Sequence, residues 1–209
     1  MRLVEGTVHV GDDDGDGDGA RFADVEAFVD ALDVVATDHG VTVQAFDSRY
    51  VVSRRHLERA LELADRERSR GDAIARDRAV EVLLYAAGRR QIDRALEMGV
   101  GVGETPVVVL VDREDDDDRS EDDAVSEDDS GSEDDSRVGD GSRVGDGSES
   151  EATAASDVED LLTPAETLGA YDEERIRSFF DVSDREMAAT TAGLEALVLE
   201  RVAMLVVER

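Results

Sequence analysis

Thr105-Pro106-Val107-Val108-Val109-Leu110-Val111 is apolar at nearly every position. A strand with one wet face alternates apolar with polar residues, whereas a short run with no polar beat reads as a strand covered on both faces. The run is also far below the roughly 18–20 apolar residues that a membrane span requires. It therefore belongs in the middle of a sheet, with helices packed on it.

Outward from that strand, Arg2 to Val10 reads as a second one. Phe22, Val25, Phe28, Val29, Leu32, Val35 and Ala36 fall at helical spacing, and Gly40 stops that helix. Val41 to Phe46 alternates as a strand should, and Tyr50-Val51-Val52 reads as a further short one. Ser53 is the expected N-cap of a helix to about Arg70, with Leu57, Ala60, Leu61 and Ala64 on its buried stripe. Asp72 is the expected cap of a helix running to Ala87 and ending at Gly88; Gln91 to Met98 follows as a short helix ended by Gly99. Short helices are expected near Tyr171–Phe180 and Ser183–Thr190, then a helix over Leu194 to Val202 and a last strand over Ala203 to Val207. The elements follow no regular strand–helix–strand rhythm. The expected class is α+β: a mixed, largely antiparallel central sheet packed with helices, in a single domain.

The chain has 209 residues, 54 acidic and 23 basic, and a formal net charge of −31; every basic residue is Arg, and Lys, Asn, Cys and Trp are absent. Without Cys there is no disulfide framework, no Cys-ligated zinc or iron–sulfur site and no thiol nucleophile. The opening MRLVEGTVHV lacks the basic and apolar regions of a signal peptide, so a cytoplasmic protein is expected. Residues 112–157 hold 20 acids against 4 Arg, with Ser-Glu-Asp-Asp recurring at Ser120, Ser126 and Ser132. So polar a stretch cannot offset its ordering entropy, which predicts a disordered acidic insert between 1–111 and 158–209, together the folded domain. A dense carboxylate surface carrying Arg but no Lys is what an extreme halophile would use; a GC-rich genome explains the missing Lys and Asn equally well. Residues 11–19 (GDDDGDGDG) open like a calcium loop, but the frame from Asp12 puts Ala23 where a bidentate acid belongs, and the frame from Asp14 puts Val25 there. A solvated loop is the expected reading.

Catalytic patterns are missing. His9, His39 and His56 form no metal-ligand spacing, Gly101-Val102-Gly103 is followed by Pro106 and a strand, and no P-loop or G-x-S-x-G occurs. No enzyme activity, metal, cofactor or small-molecule substrate is expected. The informative feature is a charge inversion: Arg49 to Arg94 holds 12 of the 23 arginines against 8 acids. Pairing such as Arg55/Glu58/Arg59/Glu62 accounts for part of it, and an anionic partner for the rest. At molar salt the Debye length is only about 3 Å, so contacts to RNA must rest on short bidentate Arg–phosphate bonds and guanidinium stacking. Single-stranded ends are read best in that way.

The stretch Val43-Gln44-Ala45-Phe46-Asp47, then Arg54-Arg55-His56-Leu57, then Glu81 to Leu96 (EVLLYAAGRRQIDRAL), resembles the small KEOPS subunit that binds the complex's kinase, the archaeal counterpart of the PRPK-binding protein. The tail Gly193 to Leu205 is similar to that family's C-terminal block, while the two acidic inserts depart from its pattern. The resemblance implies a non-catalytic role: holding the KEOPS kinase and recruiting tRNA by its 3′ CCA end for threonylcarbamoyladenosine modification. Carried over residue by residue, it implies RNA contacts by Arg54, Arg55, His56, Tyr85, Arg89, Arg90, Gln91 and Arg94. Tyr85 reads equally as a core aromatic, and Gln91 as an ordinary first residue of a helix. Leu194, Leu197, Val198, Val202 and Leu205 are the expected kinase contacts, since so apolar a helix exceeds one core face; a simply buried helix is the other reading. A scaffold that activates the kinase without touching RNA stands as the alternative function.

Overall fold

A computed structural model describes residues 1–11, 20–114 and 147–206. Four antiparallel strands form its sheet: β1 (Arg2–Val10), β2 (Thr42–Asp47), β3 (Gly103–Asp112) and β4 (Thr163–Pro164), in the order β2-β3-β1-β4. β1 pairs along β3 from Arg2 opposite Val111 to Val10 opposite Gly103, and β2 flanks β3 with Val43 opposite Val111 and Asp47 opposite Val107. The apolar run is thus an interior strand, and its alternate side chains enter two cores. Val107, Val109 and Val111 pack with Phe28 and Leu32 of α1 (Val25–His39) and with Ala154 and Val158 of α5 (Gly147–Leu161). Val108 and Leu110 belong to the opposite core, built from α2 (Arg54–Ser69), α3 (Arg78–Ala87) and α8 (Gly193–Met204). Cover on both faces is why this strand carries no polar beat. The expected α+β class holds: among the described residues the four strands pair antiparallel, and one isolated parallel bridge joins Val10 to Phe22.

Local chemistry sets the helix ends. Ser53 Oγ accepts from the His56 N–H at the start of α2, and Gly40 and Gly88 close α1 and α3 at φ 62° and 60°, a region that favours glycine. Among the described residues there are also three short helices, α4 (Ile92–Ala95), α6 (Glu173–Phe179) and α7 (Asp184–Ala189), the last begun by a reciprocal capping box between Ser183 and Glu186. Gly6 lets β1 approach the segment that leads into β4. A Cβ there would lie 2.8 Å from both the Leu162 Cβ and the Thr163 carbonyl oxygen.

Four expectations need correction. Tyr50-Val51-Val52 is not a strand: Asp47 caps a 3₁₀ turn over Ser48–Tyr50, and Val51 and Val52 are buried against helices instead of pairing. The cap of α3 is Asp77, not Asp72, because Glu81 turns back to accept the N–H groups of Ile74 and Ala75 and holds 72–76 as a loop. Ala203 to Val206 is not a strand; nothing in the sequence breaks α8 before Met204, and Leu205 then turns into the core. The acidic insert is shorter than 112–157, since Asp112 closes β3 and residues 147–157 are helical, with Ala154, Ala155 and Val158 buried. The Ser-Glu-Asp-Asp repeats and Asp12 to Asp18 of the acidic loop lie outside the described residues. Among the described residues no helix is long and apolar enough to cross a membrane.

Candidate functional site

The basic island divides between two faces. Arg54 lines a groove of about 1210 Å³ between α2, the 73–76 loop and the end of β3, where Arg66, Arg68 and Arg76 alternate with Glu58, Glu62 and Asp65. Arg54 donates to Glu58 at 2.7 Å and Arg59 to Glu62 at 2.7 Å, so much of this positive charge is met within the same helix. Exposed pairs of this kind contribute only about 0–1 kcal/mol. Arg55 is exposed beside them. Arg78, which the sequence counts in the same island, is buried: it forks onto Asp65, donates to Asp112 and reaches the Thr42 hydroxyl. Burial pulls its guanidinium down, but the hydrogen bonds to Asp65 and Asp112 outweigh that and hold it above its ordinary value. It clamps α2, α3, β2 and β3 together and is closed to ligands.

The second face is a cleft of about 540 Å³ where the α3–α4 turn meets α6 and the 3₁₀ turn after β2. Arg89 and Arg94 line it from the α3–α4 turn and α4, Tyr50 from the turn after β2, and Arg175, Ser178 and Phe179 from α6. Arg89 lies over the Phe179 ring at 5.6 Å and bonds to the Phe179 carbonyl and to Asp181, while Arg94 meets Glu97 at 2.9 Å. Arg175 lies over the Tyr50 ring at 5.2 Å, and Tyr50 meets Phe179 edge-on at 5.1 Å. Beneath them Asp47, only 3% exposed, takes a two-armed bond from Arg49 and stands 3.8 Å from Arg175. The hydrogen bond to Asp47 raises Arg49 above its ordinary value. Arg90 and Gln91 are exposed at the same turn; Gln91 occupies the N-cap position of α4 without a side-chain bond to it.

Two of the expected contacts lie inside the protein. His56 is fully buried: its Nε2–H donates to the Ala86 carbonyl at 2.8 Å, and its ring meets Phe180 edge-on at 5.7 Å. Burial pushes its pKa down to about 4, so it is neutral at ordinary pH. Tyr85 is 2% exposed and takes the core reading. Helical spacing puts both on the apolar stripes of α2 and α3, where neither side chain can touch RNA. The five expected kinase contacts, Leu194, Leu197, Val198, Val202 and Leu205, are also buried in the core below the sheet, so their side chains do not form a docking surface. One core face absorbs the whole α8 stripe because helices α2 and α3 both pack on it.

Tyr50, Arg175, Ser178 and Phe179 escaped sequence reading. The local signal of the last three is the cluster Arg175-Ile176-Arg177-Ser178-Phe179-Phe180, an aromatic and basic stretch in an otherwise acidic tail; Tyr50 carries no such signal. Among the described residues no group of three or more His, Asp or Glu is placed to hold a metal ion. Chemically, the cleft is suited to an anion carrying a planar group. The model of a family described as kinase binding protein CGI-121 matches residues 24–205. No curated protein matches the sequence.

Proposed function

Because the chain belongs to the CGI-121 family of kinase-binding proteins, we propose that it is the non-catalytic KEOPS subunit that holds the kinase and recruits tRNA by its 3′ CCA end. The observation that carries the RNA half is the cleft in which Arg89, Arg94 and Arg175 converge around Tyr50 and Phe179. Guanidinium groups bind phosphate through two parallel hydrogen bonds and stack on bases, and both contacts survive at ionic strengths that screen long-range attraction. Arg90 and Gln91 at the same turn extend the surface along the strand of an unpaired RNA end. Arg54 and Arg55 on α2 belong to the other face and serve a more distant part of the tRNA.

A protein-only activator of the kinase is the second reading. It is favoured by the acid partners that Arg54, Arg59 and Arg94 already have. The two separate on one measurement: binding of the purified chain to tRNA with and without the terminal CCA, in molar potassium chloride. Binding that disappears with the CCA supports recruitment by the RNA end. No binding to either tRNA, with kinase activation intact, overturns it and leaves the scaffold.

A further inference from the structure

Tyr50 and Arg175 lie 125 positions apart, yet their contact is built from several directions. The Asp172 N–H donates to the Arg49 carbonyl at 3.2 Å, tying the start of α6 to the 3₁₀ turn that carries Tyr50. Asp172 also caps α6, taking the Arg175 N–H at 3.0 Å. Behind the guanidinium stands the buried Asp47 carboxylate, itself fixed by the Arg49 fork. Arg175 nevertheless keeps 36% of its side chain exposed. A planar cation is thus held over an aromatic ring while about a third of its side chain stays open to solvent. Arg94, which lines the same cleft, is 69% exposed and among the described residues is engaged by Glu97 one helical turn on, a bond easily exchanged for a phosphate.

We propose that Arg175, backed by Tyr50, is the platform on which one unpaired base of a single-stranded RNA end stacks, while Arg94 and Arg89 hold the adjoining phosphate. This rests on the RNA reading above and adds to it the wall of the cleft contributed by α6 and the turn after β2. The platform is ordered before the ligand arrives, so little side-chain freedom is lost on binding. Stacking is not a Coulombic interaction between separated charges, and it persists where added salt erodes phosphate affinity. The acidic residues at the rim, Glu97 and Asp181, are paired with Arg94 and Arg89 and yield those arginines to the incoming phosphate.

The test uses the full chain, a tRNA with an intact CCA end and a short single-stranded oligoribonucleotide ending in CCA, each titrated across a range of potassium chloride. Arg175→Lys keeps the charge and removes the plane. It is expected to weaken both ligands about ten-fold, a typical loss for one stacked base, with the dependence on salt unchanged. Arg94→Gln is expected to lower the slope of log affinity against log salt by about one unit. Tyr50→Leu, which keeps an apolar contact with Phe179, should reproduce the Arg175→Lys loss, and melting temperatures confirm that each variant is folded. If Arg175→Lys binds like the wild type while Arg94→Gln is weakened, RNA binding stands and the platform is overturned. If the wild type binds neither ligand, the RNA reading itself fails and takes the platform with it. If Arg175→Lys loses the kinase and keeps RNA, the cleft is a protein contact and the proposal is overturned.

Discussion

His56 makes the fold sensitive to acid in a way that can be calculated. Its imidazole is fully buried, its Nε2–H is given to the Ala86 carbonyl, and its Nδ1 has no hydrogen-bond partner among the described residues. A second proton would put a charge inside an aromatic and aliphatic core, where the hydrogen bond to Ala86 and the Glu195 carboxylate offset only part of the lost hydration. Burial accordingly lowers its pKa from 6.5 to about 4. Because the folded value lies below the unfolded one, the unfolded chain binds the proton first as the pH falls. The contribution of this group to stability is complete above 6.5 and drains away between 6.5 and about 4. At 1.36 kcal/mol per unit the whole loss is about 3 kcal/mol, with about 2 kcal/mol of it gone by about pH 5. Many carboxylates titrate in the same window, so the useful quantity is a difference. His56→Gln retains a side-chain amide that can donate to Ala86 and removes the titration. Urea unfolding of both proteins in molar potassium chloride, repeated from about pH 7.5 to about pH 4, gives that difference directly. The variant is expected to be less stable at neutral pH, and the gap is expected to narrow or reverse by about 2–3 kcal/mol toward acid. A gap that stays constant across the range would refute the assignment of a neutral, desolvated His56.

The remaining expectations concern other parts of the fold. Arg78→Met removes the fork that joins α2, α3, β2 and β3 and leaves the Asp112 carboxylate with the Met1 ammonium as its ion-pair partner, and should cost about 1.5–3 kcal/mol by denaturant unfolding. Leu197→Ala should lower stability by about 2–5 kcal/mol and weaken kinase binding only in proportion to unfolding; a selective loss of kinase binding in a fully folded variant would place Leu197 at an interface after all. Gly6→Ala drives a Cβ to 2.8 Å from the Thr163 carbonyl oxygen of β4, so the melting temperature should fall with a cost of about 1–3 kcal/mol. Ser183→Ala removes one side of the capping box and should cost about 1 kcal/mol, read as a lower midpoint with an unchanged slope.

What the amino-acid sequence determined by itself was whatever a few neighbouring residues settle among themselves. The unbroken apolar run of β3 identified an interior strand, since only a strand covered on both faces tolerates no polar beat. Ser53, Ser183, Gly40 and Gly88 marked helix ends because capping and left-handed turns are chemistry between residues at most a few positions apart. The charge inversion over Arg49 to Arg94 was equally plain, because composition needs no geometry. Tertiary packing decided the rest. It buried Arg78 as a clamp while leaving Arg89 and Arg94 on a cleft, although all three read alike in the sequence. It hid His56 and Tyr85, because a residue's place around a helix is local but the neighbour that covers it is not. The helix at 147–161 was lost among acids because its buried stripe of Ala154, Ala155 and Val158 is small and gains its meaning only against β1 and α1. The pairing of Tyr50 with Arg175 joins segments 125 positions apart, and only the closing of the core around α6 brings that guanidinium onto that ring.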